Sequence, residues 1–151
     1  MWPQVLQHVG RVGRVVMTGT RYWPVDQPQE RLRATLTLIQ EHYPAKRAWV
    51  LHHGGCRGAD IAAAQVAHTL GWAVRVHEAD WNAVGIHRKA AGPIRNREMV
   101  NSTDATTYLV VHPKTDDLEE LRKVRGSGTA DCLRHMFRHP GVTFYVVTDP
   151  V

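Results

Sequence analysis

The stretch Ala48-Trp49-Val50-Leu51-His52-His53-Gly54-Gly55-Cys56-Arg57-Gly58-Ala59-Asp60 decides the predicted fold. It begins with an apolar run of strand length, Ala48 to His52, and continues through a glycine-rich loop. A helical pattern follows from Ile61 to Leu70, which Asp60 can cap and which Gly71 ends as a C′ glycine. A buried strand that enters a helix through glycines is typical of a βαβ unit in a parallel sheet.

The same alternation extends in both directions along the chain. Upstream, Arg14 to Thr18 predicts a strand ending at Gly19, and a helix with Leu32, Leu36 and Ile39 at helical spacing stops at Pro44. Downstream, the predicted strands and helices are Ala73 to His77, Ile94 to Val100, Thr107 to Val111, Ala130 to Phe137 and Thr143 to Val147. We predict one Rossmann-like α/β domain over residues 1–151, with a core of about 14–147 and a mostly parallel sheet between helices. The first 13 residues are predicted to be peripheral.

Length, composition and charge narrow the classes of function. A chain of 151 residues with 43% hydrophobic and 22% charged residues is typical of one globular domain, without a membrane span or a secretory signal. Two cysteines, Cys56 and Cys132, indicate reduced thiols in a cytoplasmic protein. Nineteen Lys and Arg against 14 Asp and Glu give a net charge of +5, which favours anionic partners. Nucleic acid and a phosphorylated small molecule both satisfy that charge.

Glycines follow several of the predicted strands at their carboxyl ends. Gly19 follows the first strand, Gly54, Gly55 and Gly58 follow the second, and Gly126 and Gly128 precede the last helix. Such loops expose backbone N–H groups, and the helix N-termini beside them add positive potential. In an open parallel sheet these ends meet at one edge, where ligands bind. The sequence therefore predicts an anion-binding crevice at that edge.

Several blocks of residues resemble a known family. In order along the chain they are Thr18-Gly19-Thr20-Arg21, His53 to Asp60, Ala79-Asp80-Trp81, Ala91-Gly92-Pro93-Ile94-Arg95-Asn96-Arg97-Glu98-Met99 and Gly126-Ser127-Gly128-Thr129. This series resembles the YspA-like branch of the SLOG superfamily. These Rossmann-like proteins include the Lonely Guy phosphoribohydrolases and the DNA-processing protein DprA. The resemblance implies a nucleotide or a nucleotide-derived phosphorylated ligand at the sheet edge.

The resemblance also implies which residues bind that ligand. Arginines give charge-assisted hydrogen bonds to phosphate, threonine and asparagine give neutral ones, and Trp81 and Asp80 are suited to stack on a base and accept from a ribose hydroxyl. For Trp81, packing of its own loop is an equal alternative. The predicted ligand-binding residues are Gly19, Thr20, Arg21, Gly54, Gly55, Arg57, Gly58, Asp60, Asp80, Trp81, Arg95, Asn96, Gly128 and Thr129.

One position departs from the hydrolases of the family. Lonely Guy enzymes are similar to each other in a PGGxGTxxE block, whose glutamate acts with an arginine from an RKxxM block. Arg95 matches that arginine, but Cys132 stands three residues after Thr129, where the glutamate belongs. A thiol cannot supply a carboxylate for glycosidic hydrolysis. We therefore predict a binding or sensing module and name no catalytic residue.

Two other functions remain open alternatives. The first is an N-glycosidic or phosphoribosyl hydrolase with a displaced acid, for which Asp80, Glu98 and Asp131 are the candidates. The second, weaker one is non-specific nucleic-acid binding; specific nucleic-acid binding and membrane binding are not expected. We predict no metal site and no resident cofactor, since the ten histidines show no ligand spacing. Relatives commonly self-associate, so the resemblance is compatible with a homo-oligomer.

Overall fold

Five short strands rich in β-branched residues form one parallel sheet. The computed structural model describes residues 11–44, 46, 48–83, 85 and 87–151. The strands are β1 (Val12–Gly19), β2 (Ala48–His53), β3 (Ala73–Val76), β4 (Thr107–Val111) and β5 (Thr143–Val147). They lie in the order β3-β2-β1-β4-β5, and all four pairings are parallel. The predicted Rossmann-like α/β fold is confirmed.

Helices cover both faces of this sheet. They are α1 (Glu30–His42), α2 (Ala59–Thr69), α3 (Arg88–Ser102), the single turn α4 (Leu118–Leu121) and α5 (Gly128–Met136). Side chains alternate along β1, so that Val15 and Met17 join the apolar layer under α1 and α2. Val16 joins the layer that α3, α4 and α5 cover. Burial on both faces explains why β4 is apolar along nearly its whole length, whereas the edge strand β3 is exposed.

The strand order places a topological switch point between β1 and β4. The chain moves outward from β1 through β2 to β3, and then from β4 to β5 on the opposite side. Gly19 and Val111, the last residues of β1 and β4, are register partners. The backbone N–H of Thr20 donates to the carbonyl of Val111 at 3.0 Å. Ligand crevices of open α/β sheets lie at such a point.

Three helix starts differ from the sequence prediction. α3 begins at Arg88 instead of Ile94 and contains Pro93. Its start is capped by the His87 imidazole, which accepts a hydrogen bond from the N–H of Lys89 at 3.2 Å. α5 begins at Gly128, since Ser127 accepts from the N–H of Ala130. α2 begins at Ala59. Histidine is an unusual cap, which is why the sequence did not signal the first of these starts.

The prediction that the first 13 residues are peripheral falls on residues 1–10, which lie outside the described residues, and on Val12 and Gly13, which belong to β1. That prediction is therefore wrong for these two residues, because β1 pairs with β2 from Val12 onward. None of the helices in the described ranges is long and apolar enough to cross a bilayer.

Candidate functional site

Two loops interlock at the carboxyl ends of β1 and β2. The backbone N–H of Ala59 donates to the carbonyl of Thr20 at 3.0 Å. Gly58 has a φ of +81°, and a Cβ at this position would lie 2.5 Å from the carbonyl oxygen of Arg21. Only glycine fits both the backbone angle and the close approach. The side chains of Arg21 and Arg57 are exposed on these adjoining loops, so both guanidinium groups are available to an anion in the crevice.

Arg95 is buried instead, and it ties α3 to the second loop. Its side chain is only 9% exposed, and its Nη1 donates to the carbonyls of Gly54 and, at 3.2 Å, His77. Its Nε donates to Oδ1 of Asn96 at 2.8 Å. A Cβ at position 54 would lie 2.6 Å from the Arg95 Nη1, so the guanidinium lies directly against the bare glycine. These donors therefore serve carbonyls inside the protein.

Asn96 continues this network to α5. Its Nδ2 donates to Oδ2 of Asp131 at 3.0 Å and to the carbonyl of Gly128 at 3.4 Å. Thr129, which the sequence placed in a phosphate-facing turn, is buried in the first turn of α5. The structure thus gives Arg95 and Asn96 protein partners, and their contact with a ligand stays a prediction.

Asp60 shapes the second loop rather than capping the helix. The prediction that Asp60 caps α2 is wrong: Gly58 is the N-cap, and Asp60 lies inside the first turn. Its buried carboxylate accepts from the N–H groups of Gly54 at 3.1 Å and Cys56 at 3.2 Å. Burial raises the pKa of Asp60 to about 6, against the opposing effect of these two hydrogen bonds and of Arg95. The carboxylate therefore holds the loop backbone in place for the crevice.

Cys132, which stands at the position of the hydrolase glutamate, is buried and uncharged. Cys132 is 1% exposed, and burial raises the pKa of its thiol to about 12 although Thr18 hydrogen-bonds to it. The thiol is therefore neutral at physiological pH. Cys132 lies within α5, as the predicted helix from Ala130 to Phe137 implies, and its burial keeps it from an exposed ligand unless the helix rearranges.

The alternative acids lie in different surroundings. Asp131 is partly exposed and is shared between Asn96 and Arg134, whose Nη2 lies 3.6 Å from its Oδ1. Glu98 is exposed on α3, and Asp80 is exposed in the loop after β3, where its Oδ1 accepts from the N–H of Asn82 at 3.3 Å.

Two exposed aromatic residues lie in loops at the same edge. Trp81 is 46% exposed and approaches α3 at Gly92, where a Cβ would lie 3.5 Å from its Cη2. Tyr22 is 77% exposed, and the guanidinium carbon of Arg21 lies 5.1 Å from its ring centroid. Tyr22 is not among the predicted ligand-binding residues, although an aromatic residue directly after a predicted ligand loop can indicate a stacking surface.

A pair of histidines lies at the ends of β2 and β3. Nδ1 of His52 and Nε2 of His77 are 2.8 Å apart. Burial lowers the pKa of His52 to about 4, with smaller contributions from His77, Arg75 and Arg14. Within the described ranges, no three His, Cys, Asp or Glu side chains are grouped closely enough to hold a metal ion.

Of the comparisons with known proteins, one gave a match, to a protein family. No curated protein and no solved structure matches the chain. Residues 13–83 match the family described as "YAcAr: YspA, cpYpsA-related SLOG family". The match covers β1, the first two helices, β2, β3 and both interlocked loops. These residues are just under half of the chain, and over them the chain is similar to the YspA-like branch of the SLOG superfamily.

Proposed function

We propose that the chain binds a nucleotide or a nucleotide-derived phosphorylated ligand at the carboxyl edge of the sheet, as a binding or sensing module. The observation that carries the proposal is the pair of interlocked loops, which holds exposed Arg21 and Arg57 on adjoining backbone at the switch point between β1 and β4. Arginine binds phosphate through two parallel hydrogen bonds. The N-terminus of α2 begins at the same place and adds positive potential.

The further residues of the proposed site follow from their place at this edge. Gly19, Thr20, Gly54, Gly55 and Gly58 bring backbone close to the crevice, and Asp60 fixes the second loop. Asp80 and Trp81 supply a carboxylate and an exposed ring for the nucleoside part. Gly128 and Thr129 at the start of α5 complete the set, with Arg95 and Asn96 behind the loops as positioning residues.

Binding is favoured over hydrolysis because of Cys132. Retaining and inverting glycosidases need two carboxyl groups on opposite sides of the bond that breaks. The position that supplies one of them in the Lonely Guy enzymes carries a buried, neutral thiol. Asp131 lies one residue earlier and is already bonded to Asn96.

Replacing Arg21 by alanine is expected to weaken nucleotide binding about tenfold, the effect of losing one charge-assisted hydrogen bond of about 1.5 kcal/mol. The probe is the tightest binder from a thermal-shift screen over nucleoside mono-, di- and triphosphates, measured by isothermal titration calorimetry. The melting temperature without nucleotide should not change, because the Arg21 side chain is exposed.

Arg31→Ala is the matched control, since Arg31 is exposed on α1 and lies outside both loops. Arg57→Ala should behave like Arg21→Ala. If both variants bind the nucleotide as tightly as Arg31→Ala does, the site assignment is wrong.

The native protein is expected to release no base from nucleoside monophosphates, because no carboxylate occupies position 132. Overnight incubation with adenosine or cytidine monophosphate, followed by chromatography of the products, measures the release. Robust release that Asp131→Asn or Glu98→Gln abolishes would contradict the binding-module proposal and establish the displaced-acid hydrolase in its place.

A further inference from the structure

A second cationic site lies away from the interlocked loops, beside α5. A cavity of about 570 Å³ is lined by Arg122, Lys123, Arg125, Gly126 and Arg134. We call these five residues the basic cavity. Four of the five side chains are cationic, and the cavity lies between the turn that follows α4 and one side of α5.

Two of the four cations are held in place by contacts with uncharged groups. Nη1 of Arg134 donates to the carbonyls of Arg122 at 2.8 Å and Val124 at 3.3 Å. The guanidinium carbon of Arg122 lies 4.8 Å from the ring centroid of Phe137. Cations that are already positioned lose little freedom when an anion binds between them. Two of the four cations of the basic cavity, Arg122 and Arg134, are therefore already held in position before a ligand binds.

Three of the four cations of the basic cavity form ion pairs with carboxylates. Nη2 of Arg122 lies 2.8 Å from Oε2 of Glu119, with 40% and 61% of these side chains exposed. Lys123 and Glu120 are 3.4 Å apart and mostly exposed, and Arg134 lies 3.6 Å from Asp131. Exposed pairs of this kind contribute about 0–1 kcal/mol each. Arg125 is exposed and forms no ion pair with any carboxylate in the described part of the chain. An arriving anion therefore displaces weak interactions only.

The carboxylates at the rim restrict the class of anion. Glu119 and Glu120 pair with Arg122 and Lys123 at the rim of the cavity, with 61% and 69% of their side chains exposed. A phosphate backbone that continued past the cavity would meet these like charges, whereas a short anion confined to the cavity would not. A single phosphate offers too little charge to compete with three neighbouring carboxylates, but a chain of two or three linked phosphates offers several charges within one cavity volume.

We propose that the basic cavity is a binding site for a compact polyphosphate, that is, two or three linked phosphate groups of a small molecule. The linked phosphates displace Glu119 from the guanidinium of Arg122 and pair with the exposed guanidinium of Arg125. Arg134 positions Arg122 through its hydrogen bond to the Arg122 carbonyl. Gly126, with a φ of +73° and open space where a Cβ would stand, leaves the mouth of the cavity free. The site does not depend on the proposed nucleotide crevice.

Calorimetric titration of the full chain with inorganic tripolyphosphate at low salt tests this site. We expect binding that Arg125→Ala weakens about fivefold and that Arg31→Ala, an exposed arginine on the opposite helical layer, leaves unchanged. Glu119→Gln should strengthen the binding, because it removes a like charge from the rim. Arg125 makes no side-chain hydrogen bond or ion pair in the described residues, so its variant should fold normally.

Two parallel titrations separate this site from the others. Because tripolyphosphate can also enter the proposed crevice, the titration is repeated in Arg21→Ala, where binding that persists and that an added Arg125→Ala weakens belongs to the basic cavity. Loss of all binding in Arg21→Ala with none in Arg125→Ala would assign the phosphates to the crevice and overturn the proposal. A single-stranded oligothymidylate is expected to bind more weakly than tripolyphosphate. Tighter binding of the oligonucleotide, lost in Arg125→Ala, or no binding of tripolyphosphate at all, would also overturn it.

Discussion

Replacing Arg95 by alanine is expected to lower the free energy of unfolding by about 3 kcal/mol, the scale of a buried charged partner removed from its network. The buried guanidinium of Arg95 supplies hydrogen bonds to the carbonyls of Gly54 and His77 and to the side chain of Asn96. Alanine leaves those three acceptors without their donor. It also leaves a cavity between α3 and the loop after β2.

Urea denaturation at neutral pH measures this loss. Arg97→Ala is the matched control, since Arg97 lies on the same helix but is exposed. Arg95→Lys should recover little, because an ammonium group cannot reproduce the planar fork that serves acceptors on two sides. Equal unfolding free energies for Arg95→Ala and Arg97→Ala would contradict the internal role of Arg95.

As the pH falls from 7 to 4, protonation of His52 alone is expected to lower the free energy of unfolding by about 2 kcal/mol. This value is smaller than the full pKa shift would give, because solvent screens part of the interaction. The pKa of His52 is about 6.5 in the unfolded chain and about 4 in the folded one. Between these values the unfolded chain binds more protons, so stability is complete above pH 6.5 and is lost on acidification.

Other groups act on the same pH range. Burial also lowers the pKa of four further histidines, which adds to the loss in acid; they are His53, His77, His112 and His135. Asp60 acts in the opposite sense, because its raised pKa of about 6 makes the folded protein bind more protons than the unfolded chain between about pH 4 and 6. The contribution of His52 is therefore measured against a variant rather than from the total pH dependence.

A comparison of variants isolates the histidine pair. Urea denaturation of His52→Gln at pH 7 and pH 4 should give a difference about 2 kcal/mol smaller than in the native protein, since glutamine does not titrate. His68→Gln, which changes an exposed histidine on α2, should leave the pH dependence unchanged. A native-like pH dependence in His52→Gln would show that the pair does not control acid stability.

The sheet was predictable from the sequence because each strand carries its own local signal. The run from Val15 to Thr18 is apolar on both faces and ends at a glycine, and such a run fits only a strand covered on both sides. The glycines at the strand ends were also predictable as a group, since parallel strands bring their carboxyl ends to one edge. Periodicity and turn chemistry are local properties, and the chain expresses them directly.

The partners of the buried polar groups were not predictable in this way. From the sequence, Arg95 is predicted to bind phosphate, whereas in the structure its guanidinium donates a hydrogen bond to a carbonyl 41 residues away. From the sequence, Asp60 is predicted to cap a helix, whereas in the structure its carboxylate accepts hydrogen bonds from the backbone of the preceding loop. The basic cavity forms because the Arg134 side chain reaches back to the carbonyls of Arg122 and Val124. Such partners depend on distances between elements, which propensity does not encode.

The contact between Gly54 and Arg95 has a consequence for how this chain can evolve. The guanidinium occupies the space that a side chain at position 54 would need, with only 2.6 Å from Nη1 to a Cβ there. Substitutions at positions 54 and 95 therefore depend on each other, and the order in which they occur matters. A lineage can gain a side chain at position 54 only after position 95 has shortened, and the intermediate between the two changes is the least stable protein on that path.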